Sequence, residues 1–344
     1  MPPQKNKRMI ACRILMFALL LLASREVASG AETTQRYESV RPLMGTTVRI
    51  VAYAQSNHEA TKAFDAAFDE MHRLVEILSD YESTSEVSRL SQAGPGRVKL
   101  GPELWEVLRF STQVSEATDG AFDVTIGPLS KAWRRMRRRH KIDSALIDQL
   151  LPAVGYKKLQ LDESSQSAVL AASKMRIDLG GVAKGYIIDA GLRVLYDHDL
   201  KRALVDAGGD MAIGHAPPQS VGWKISVAQS KKLGARAMIV ELANCGVATS
   251  GDAYQFVEIQ GKRYSHILNP QTGYGVTSSR TVTVFAPSAM QADAWASAIS
   301  VLGPRQGFAA LANQTGHAAV VTTLVEKELA VEKSPNFAAW LKAH

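Results

Sequence analysis

The sequence predicts an α+β protein in which antiparallel-rich mixed sheets pack against helices, and three observations carry that prediction. Short strand-like segments recur between Ala203 and Ile267, and two of them are close enough to pair across a turn. Apolar residues at three- and four-residue spacing follow Asn57, which is the mark of an amphipathic helix. A capping pattern, Ser288 with Gln291 three residues on, opens a late helix. The 344 residues are 46% hydrophobic and 21% charged, which excludes a collagen-like, low-complexity or wholly disordered chain. No Pro/Ser linker or internal repeat interrupts the pattern, so residues 38–344 read as one domain.

In chain order, Lys5, Lys7, Arg8 and Arg13 precede the apolar run Ile14 to Ala23, and small residues follow at Ala28, Ser29, Gly30 and Ala31. Residues 1–30 therefore read as a signal peptide, and the protein is expected to be exported, either periplasmic or membrane-associated. Cleavage and retention as an anchor both stay open. Cys12 precedes the apolar run, whereas a lipoprotein signal places its cysteine after it. Cys245 is then alone, and no intramolecular disulfide forms without a second thiol.

Val48 to Ala54 reads as a strand, and Phe64, Phe68, Met71, Val75 and Leu78 give the helix after Asn57 its apolar face. Pro102 and Gly120 bracket a second helix carrying Leu104, Val107, Leu108 and Val114. A third helix follows Gly181. Strands are expected at Ala203 to Val205, Trp223 to Val227, Met238 to Leu242, Phe256 to Ile259, Tyr264 to Leu268 and Thr281 to Phe285, with Gln260, Gly261 and Lys262 as a turn. The helix capped by Ser288 runs through Leu302.

The formal charge of +7 suggests an anionic partner until its location is examined. Five cations and one anion lie in residues 1–30, which leaves +3 on the remainder. Arg134, Arg135, Arg137, Arg138, Arg139 and Lys141 then place six cations in eight residues. No aromatic residue interleaves with them to stack on bases, so no nucleic acid is expected as partner, and a solvated face is the commoner use of such a run.

Chemistry is suggested by Asp178-Leu179-Gly180-Gly181-Val182-Ala183-Lys184. Paired glycines let backbone approach a ligand, and the helix start beyond them presents free N–H groups to an anion such as a pyrophosphate. A tight turn with an exposed lysine fits these residues equally well. The spacing is not that of a Walker loop, and Gly208-Gly209 lacks the third glycine of a dinucleotide fingerprint. Asp293 and Ser297, four apart on one helix face, offer two hard oxygens suited to magnesium. His266 falls on a predicted strand, where a lone histidine is usually structural and a general base needs a hydroxyl within reach. No Ser-His-Asp, Cys-His or two-histidine zinc pattern is present.

Taken in order, these segments resemble the flavin transferases of the ApbE type, which move FMN from FAD onto a protein threonine. The resemblance begins at Met44-Gly45-Thr46-Thr47 and runs through Gly120-Ala121-Phe122-Asp123, Gly127-Pro128-Leu129, Asp178 to Tyr186 and Val205 to Asp210. It continues with Val247-Ala248-Thr249-Ser250-Gly251-Asp252, Tyr264-Ser265-His266-Ile267 and the Pro270 to Gly273 turn, and closes with Ala292-Asp293-Ala294. Each motif alone is weak, and their fixed order is specific.

The resemblance implies an enzyme that transfers FMN from FAD, its substrate, to a threonine hydroxyl of an acceptor flavoprotein, with Mg²⁺ as cofactor and AMP as leaving group. It implies that Met44, Tyr81, Ala121, Phe122, Asp123, Asp178 and Lys184 hold FAD. Asp293, Ser297 and a carbonyl at Gly181 are implied as metal ligands, and His266 as the base. The family more often carries threonine at the Ser297 position, and serine keeps the ligating oxygen. Arg134 to Lys141 departs from the aromatic-and-glycine segment of many members. A subunit of a membrane redox complex is the acceptor expected of an exported enzyme. Two rivals stand beside this reading: a Mg²⁺-dependent FAD pyrophosphatase giving FMN and AMP, and a periplasmic FAD-binding protein.

Overall fold

A computed structural model describes residues 34–227, 238–251, 256–325 and 328–343. The segment read as a signal peptide lies outside these residues, as does Asp252. The principal strands, in chain order, are β1 (Gln35–Leu43), β2 (Thr46–Ala54), β3 (Ala203–Ala207), β4 (Asp210–Ile213), β5 (Cys245–Gly251), β6 (Arg280–Ala286), β7 (Ala318–Val325) and β8 (Glu328–Lys333). They form one eight-stranded sheet whose spatial order is the chain order. Each neighbouring pair is antiparallel. The sheets are thus wholly antiparallel among the described strands, and the parallel element is a single bridge between Ile126 and Arg176.

The principal helices are α1 (Asn57–Leu78), α2 (Pro102–Ala117), α3 (Gly127–Arg139), α4 (Ala183–Asp197) and α5 (Ala289–Leu311). Alternation along the strands separates two cores, because successive side chains point to opposite faces. Val48, Ile50 and Ala52 of β2, with Val205 of β3 and Val282 and Val284 of β6, face the helices and meet Phe64, Phe68, Leu108 and Trp295. Val51, Leu204 and Phe285 face the other way, against Trp223, Val240, Leu242 and Trp340. Strands buried on both faces explain the near-continuous apolar runs at Val48 to Ala54 and Thr281 to Phe285.

A third core joins α3 to a small hairpin, Phe256–Ile259 with Lys262–Ser265. Leu129, Ala132, Trp133 and Met136 of α3 pack there against Val257, Ile259 and Tyr264. The basic run thus lies mainly on a helix whose inner face is apolar. The hairpin turn is Gln260-Gly261, both left-handed, so Lys262 begins the second strand rather than completing the turn. That strand ends at Ser265, and His266 stands just beyond it instead of on it. The late helix keeps its Ser288 cap and continues past Leu302 to Leu311, with Gly303 non-helical at φ +79 before Pro304.

Candidate functional site

Two helix starts are locked together beside the sheet. The N-terminus of α4 has no capping side chain of its own, and its Gly185 N–H donates to the Asp293 carboxylate of α5 at 3.3 Å. In return, Asp189 of α4 accepts from the Ala289 and Met290 N–H groups at the start of α5, both at 2.9 Å. Each helix thus supplies a carboxylate to the other's N-terminus, accepting from one N–H of α4 and from two of α5. The helices touch at Gly185, where a Cβ would lie 2.2 Å from the Ala289 carbonyl oxygen.

Burial pushes the Asp189 carboxyl up to about 6, against the opposing effect of those two backbone donors. Its ionised form is therefore disfavoured by folding. The stability it contributes is complete below its ordinary value of 3.8 and is lost as pH rises through about 6. Asp189→Ala leaves two helix N–H groups without a partner, so it should cost roughly 2–4 kcal/mol in urea denaturation and remove that part of the pH slope. Unchanged stability would show that α5 does not depend on this cap.

A cavity of about 500 Å³ opens where α4, α5, the Gly208 turn and the His266 loop meet. That volume is within the range of small-molecule sites. Asp293 is 5% exposed, and burial, reinforced by the charge of Asp210, pushes its carboxyl up to about 7 although Lys184 opposes the shift. Lys184 reaches Asp210 in an ion pair, and Asp210 also accepts from the Thr249 N–H at 3.0 Å. Burial works against the Lys184 cation, but Asp210 and Asp293 outweigh it and hold the amine above its usual range. A half-buried cation so supported is fixed in charge and place.

On the opposite wall, Asp178 accepts from the Gly180 N–H at 2.8 Å and from Arg134 at 3.1 Å. Arg134 also pairs with Asp80 at 2.9 Å, and its guanidinium lies 4.2 Å over the Tyr81 ring, which is 75% exposed. An exposed ring backed by a guanidinium is a ready stacking surface for a planar heterocycle. Asp123 is committed otherwise, because its carboxylate accepts from Thr125 and from the Tyr156 N–H at 2.7 Å. It ties the Ala121–Phe122 loop in place and presents those two residues to the cavity.

The structure thus gathers Tyr81, Ala121, Phe122, Asp123, Asp178, Gly181, Lys184, His266, Asp293 and Ser297 around one cavity. Met44 is the exception: it occupies the left-handed turn between β1 and β2 and does not line the cavity. Its neighbour Thr46 packs against Gly208, which does. Asp210 and Arg134 also belong to the site, beyond the residues to which the sequence points. The signal for Asp210 was an acid closing the Gly208-Gly209 turn, and for Arg134 it was an arginine next to the buried Trp133.

The donor set suits a hard divalent cation. Asp293 supplies a buried carboxylate whose charge is under-compensated by its single backbone donor. A Cβ at Gly181 would lie 2.8 Å from the Ser297 Oγ, so the backbone there and that hydroxyl converge without an intervening side chain. Oxygen donors of this kind fit magnesium better than a soft metal. Among the described residues no group of three His, Cys, Asp or Glu side chains is placed to hold a metal, so backbone, hydroxyl and substrate oxygens would complete any coordination.

The ApbE family pattern matches residues 44–322 of the chain. A protein of Klebsiella pneumoniae (strain 342) named FAD:protein FMN transferase is 30% identical over 287 residues, covering 82% of this chain and 87% of its own. A protein of Treponema pallidum (strain Nichols) with the same name is 29% identical over 300 residues, covering 82% and 83%. Among solved structures, the ApbE protein of Thermotoga maritima superposes with a TM-score of 0.78 at 29% identity, covering 89% of this chain and 99% of that one. The flavin transferase ApbE of Vibrio cholerae gives 0.78 at 25%, with the same coverage.

Proposed function

The chain belongs to the ApbE family, and from that premise we propose that it transfers FMN from FAD to a threonine hydroxyl of an acceptor protein and releases AMP. The observation that carries this reading is the convergence of a fixed lysine, a buried carboxylate, a hydroxyl and a histidine on one cavity walled by an exposed aromatic ring. Tyr81 and Arg134 hold the planar end of FAD. Lys184 and the N-terminus of α4 face the pyrophosphate, where they offset its charge and the charge that develops on the departing AMP.

Asp293, Ser297 and the Gly181 backbone would hold Mg²⁺. Bound there, the ion supplies Lewis-acid polarisation of phosphoryl oxygens. His266 takes the proton of the threonine hydroxyl as its oxygen attacks the FMN-side phosphorus. One P–O bond forms, the pyrophosphate P–O bond breaks, and the electron pair leaves with AMP. The flavin ring is carried unchanged, so the protein needs no redox partner of its own.

The basic and apolar order of Lys5 to Ala23 supports export to the periplasm or the membrane surface, and a subunit of a membrane redox complex is the acceptor we propose. The test is incubation of the protein with FAD, Mg²⁺ and a threonine-bearing acceptor, followed by a denaturing gel. Fluorescent flavin should migrate with the acceptor and disappear when the metal is chelated. FAD cleaved at the same rate without acceptor, and no flavin on protein, would make the enzyme a pyrophosphatase instead.

A further inference from the structure

The basic run forms one wall of a second concavity. A groove of about 820 Å³ lies along α3 and is bounded on its other side by Arg176, Ile177, Phe256 and Val257. Lys131, Arg134, Arg135, Arg137, Arg138 and Arg176 line it, against one acid, Asp80, which is already paired with Arg134. Lys131, Arg135, Arg137 and Arg138 make no ion pair among the described residues. The inner face of α3 is fixed by Leu129, Ala132, Trp133 and Met136 in the third core, so these cations are displayed from a rigid helix. Like charges this close repel, and an anionic occupant relieves that repulsion.

The groove is not independent of the flavin cavity. Tyr81, Arg134 and Arg137 line both, so a chain lying in one continues into the other. The groove floor carries apolar area at Tyr81 and Phe256, the latter 39% exposed with Arg263 over its ring at 3.8 Å. A concave, two-walled channel admits an extended peptide, whereas a bilayer surface is met by a convex or flat face. Two rings, Tyr81 and Phe256, also fall short of the succession of stacked side chains that a single-stranded nucleic acid uses.

We propose that this groove docks an acidic segment of the acceptor protein and leads the neighbouring residues of that segment to His266. The inference rests on the flavin-transfer reading for the identity of the partner, and its binding test does not require turnover. Charges of this kind act on encounter and orientation, so they are screened by salt and appear in KM rather than kcat.

The test uses a fluorescein-labelled peptide in which a run of glutamates precedes a threonine, with a glutamine counterpart as control, and reads anisotropy. The acidic peptide should bind at least about tenfold more tightly than its counterpart at low salt and lose that advantage at high salt. Arg135→Glu with Arg138→Glu should abolish the difference, because both residues line the groove and neither lines the flavin cavity. Retained FAD affinity shows that the double variant is folded. With an intact acceptor, the same variant should raise the acceptor KM about tenfold or more and leave kcat and the FAD KM unchanged.

Equal binding of the two peptides, or wild-type binding by the double variant, would overturn the proposal. So would capture of phosphatidylglycerol vesicles or an oligonucleotide in place of the peptide, which would assign the groove to that ligand. Acidic-peptide binding without any flavin transfer would leave the groove standing and remove only the transfer reading. Transfer with an unchanged acceptor KM in the variant would do the reverse.

Discussion

Asp293→Asn is expected to lower FAD turnover by at least about a thousandfold while the protein remains folded. A ligand to the reacting metal contributes several kcal/mol of charge stabilisation, and each 1.4 kcal/mol is tenfold in rate. Stability should hold because the carboxylate is buried beside Asp210 and its charge is a cost to the fold, while asparagine keeps the volume and an acceptor for the Gly185 N–H. The pairing of lost activity with an unchanged melting temperature separates a ligand from a mere cap. Turnover within a few fold of wild type would remove Asp293 from the metal site, and with it the role given to Ser297.

His266→Ala should lower flavin transfer by roughly 10²–10⁴-fold, the usual contribution of a positioned general base. The side chain sits past the end of the hairpin strand, between the Ser265 N–H, which donates to the Val276 carbonyl at 2.8 Å, and the Ile267 carbonyl, which accepts from the Val276 N–H at 2.9 Å. Both neighbours are tethered, so truncating the ring leaves the loop in place. The loss should therefore fall on kcat, with the KM for FAD unchanged. A variant that transfers flavin at near wild-type rate would assign proton removal to another group or to solvent.

These two residues also mark what the sequence made legible. The helices bearing Asp293 and Lys184 were readable because their starts carry local signals, a capping serine at Ser288 and a glycine pair before Val182. The strands buried on both faces were readable as apolar runs. β1 was not, because it is an edge strand that pairs with β2 alone and whose half-buried positions, Tyr37, Ser39 and Arg41, alternate with exposed ones without forming an apolar face. α3 was hidden beneath its own charge: Leu129, Ala132, Trp133 and Met136 recur at helical spacing, yet six cations dominate the segment.

The pairings that make the site are long-range. Lys184 meets Asp210, Arg134 meets Asp178, and Asp189 meets the start of α5, contacts that no local pattern specifies. His266 stands past its expected strand: the Gln260-Gly261 turn pairs Lys262–Ser265 with Phe256–Ile259, and the backbone on either side of His266 bonds to Val276. The residues of the site were legible through the order of their motifs. Their partnerships needed the fold.

The fate of the two halves of FAD is the most direct test of flavin transfer. Purified protein, FAD, Mg²⁺ and a threonine-bearing acceptor should yield one AMP for each flavin covalently bound, with peptide mapping placing the phosphoester on the threonine and little AMP formed when the acceptor is withheld. AMP released at the same rate with and without acceptor, and free FMN in place of flavinylated protein, would contradict it.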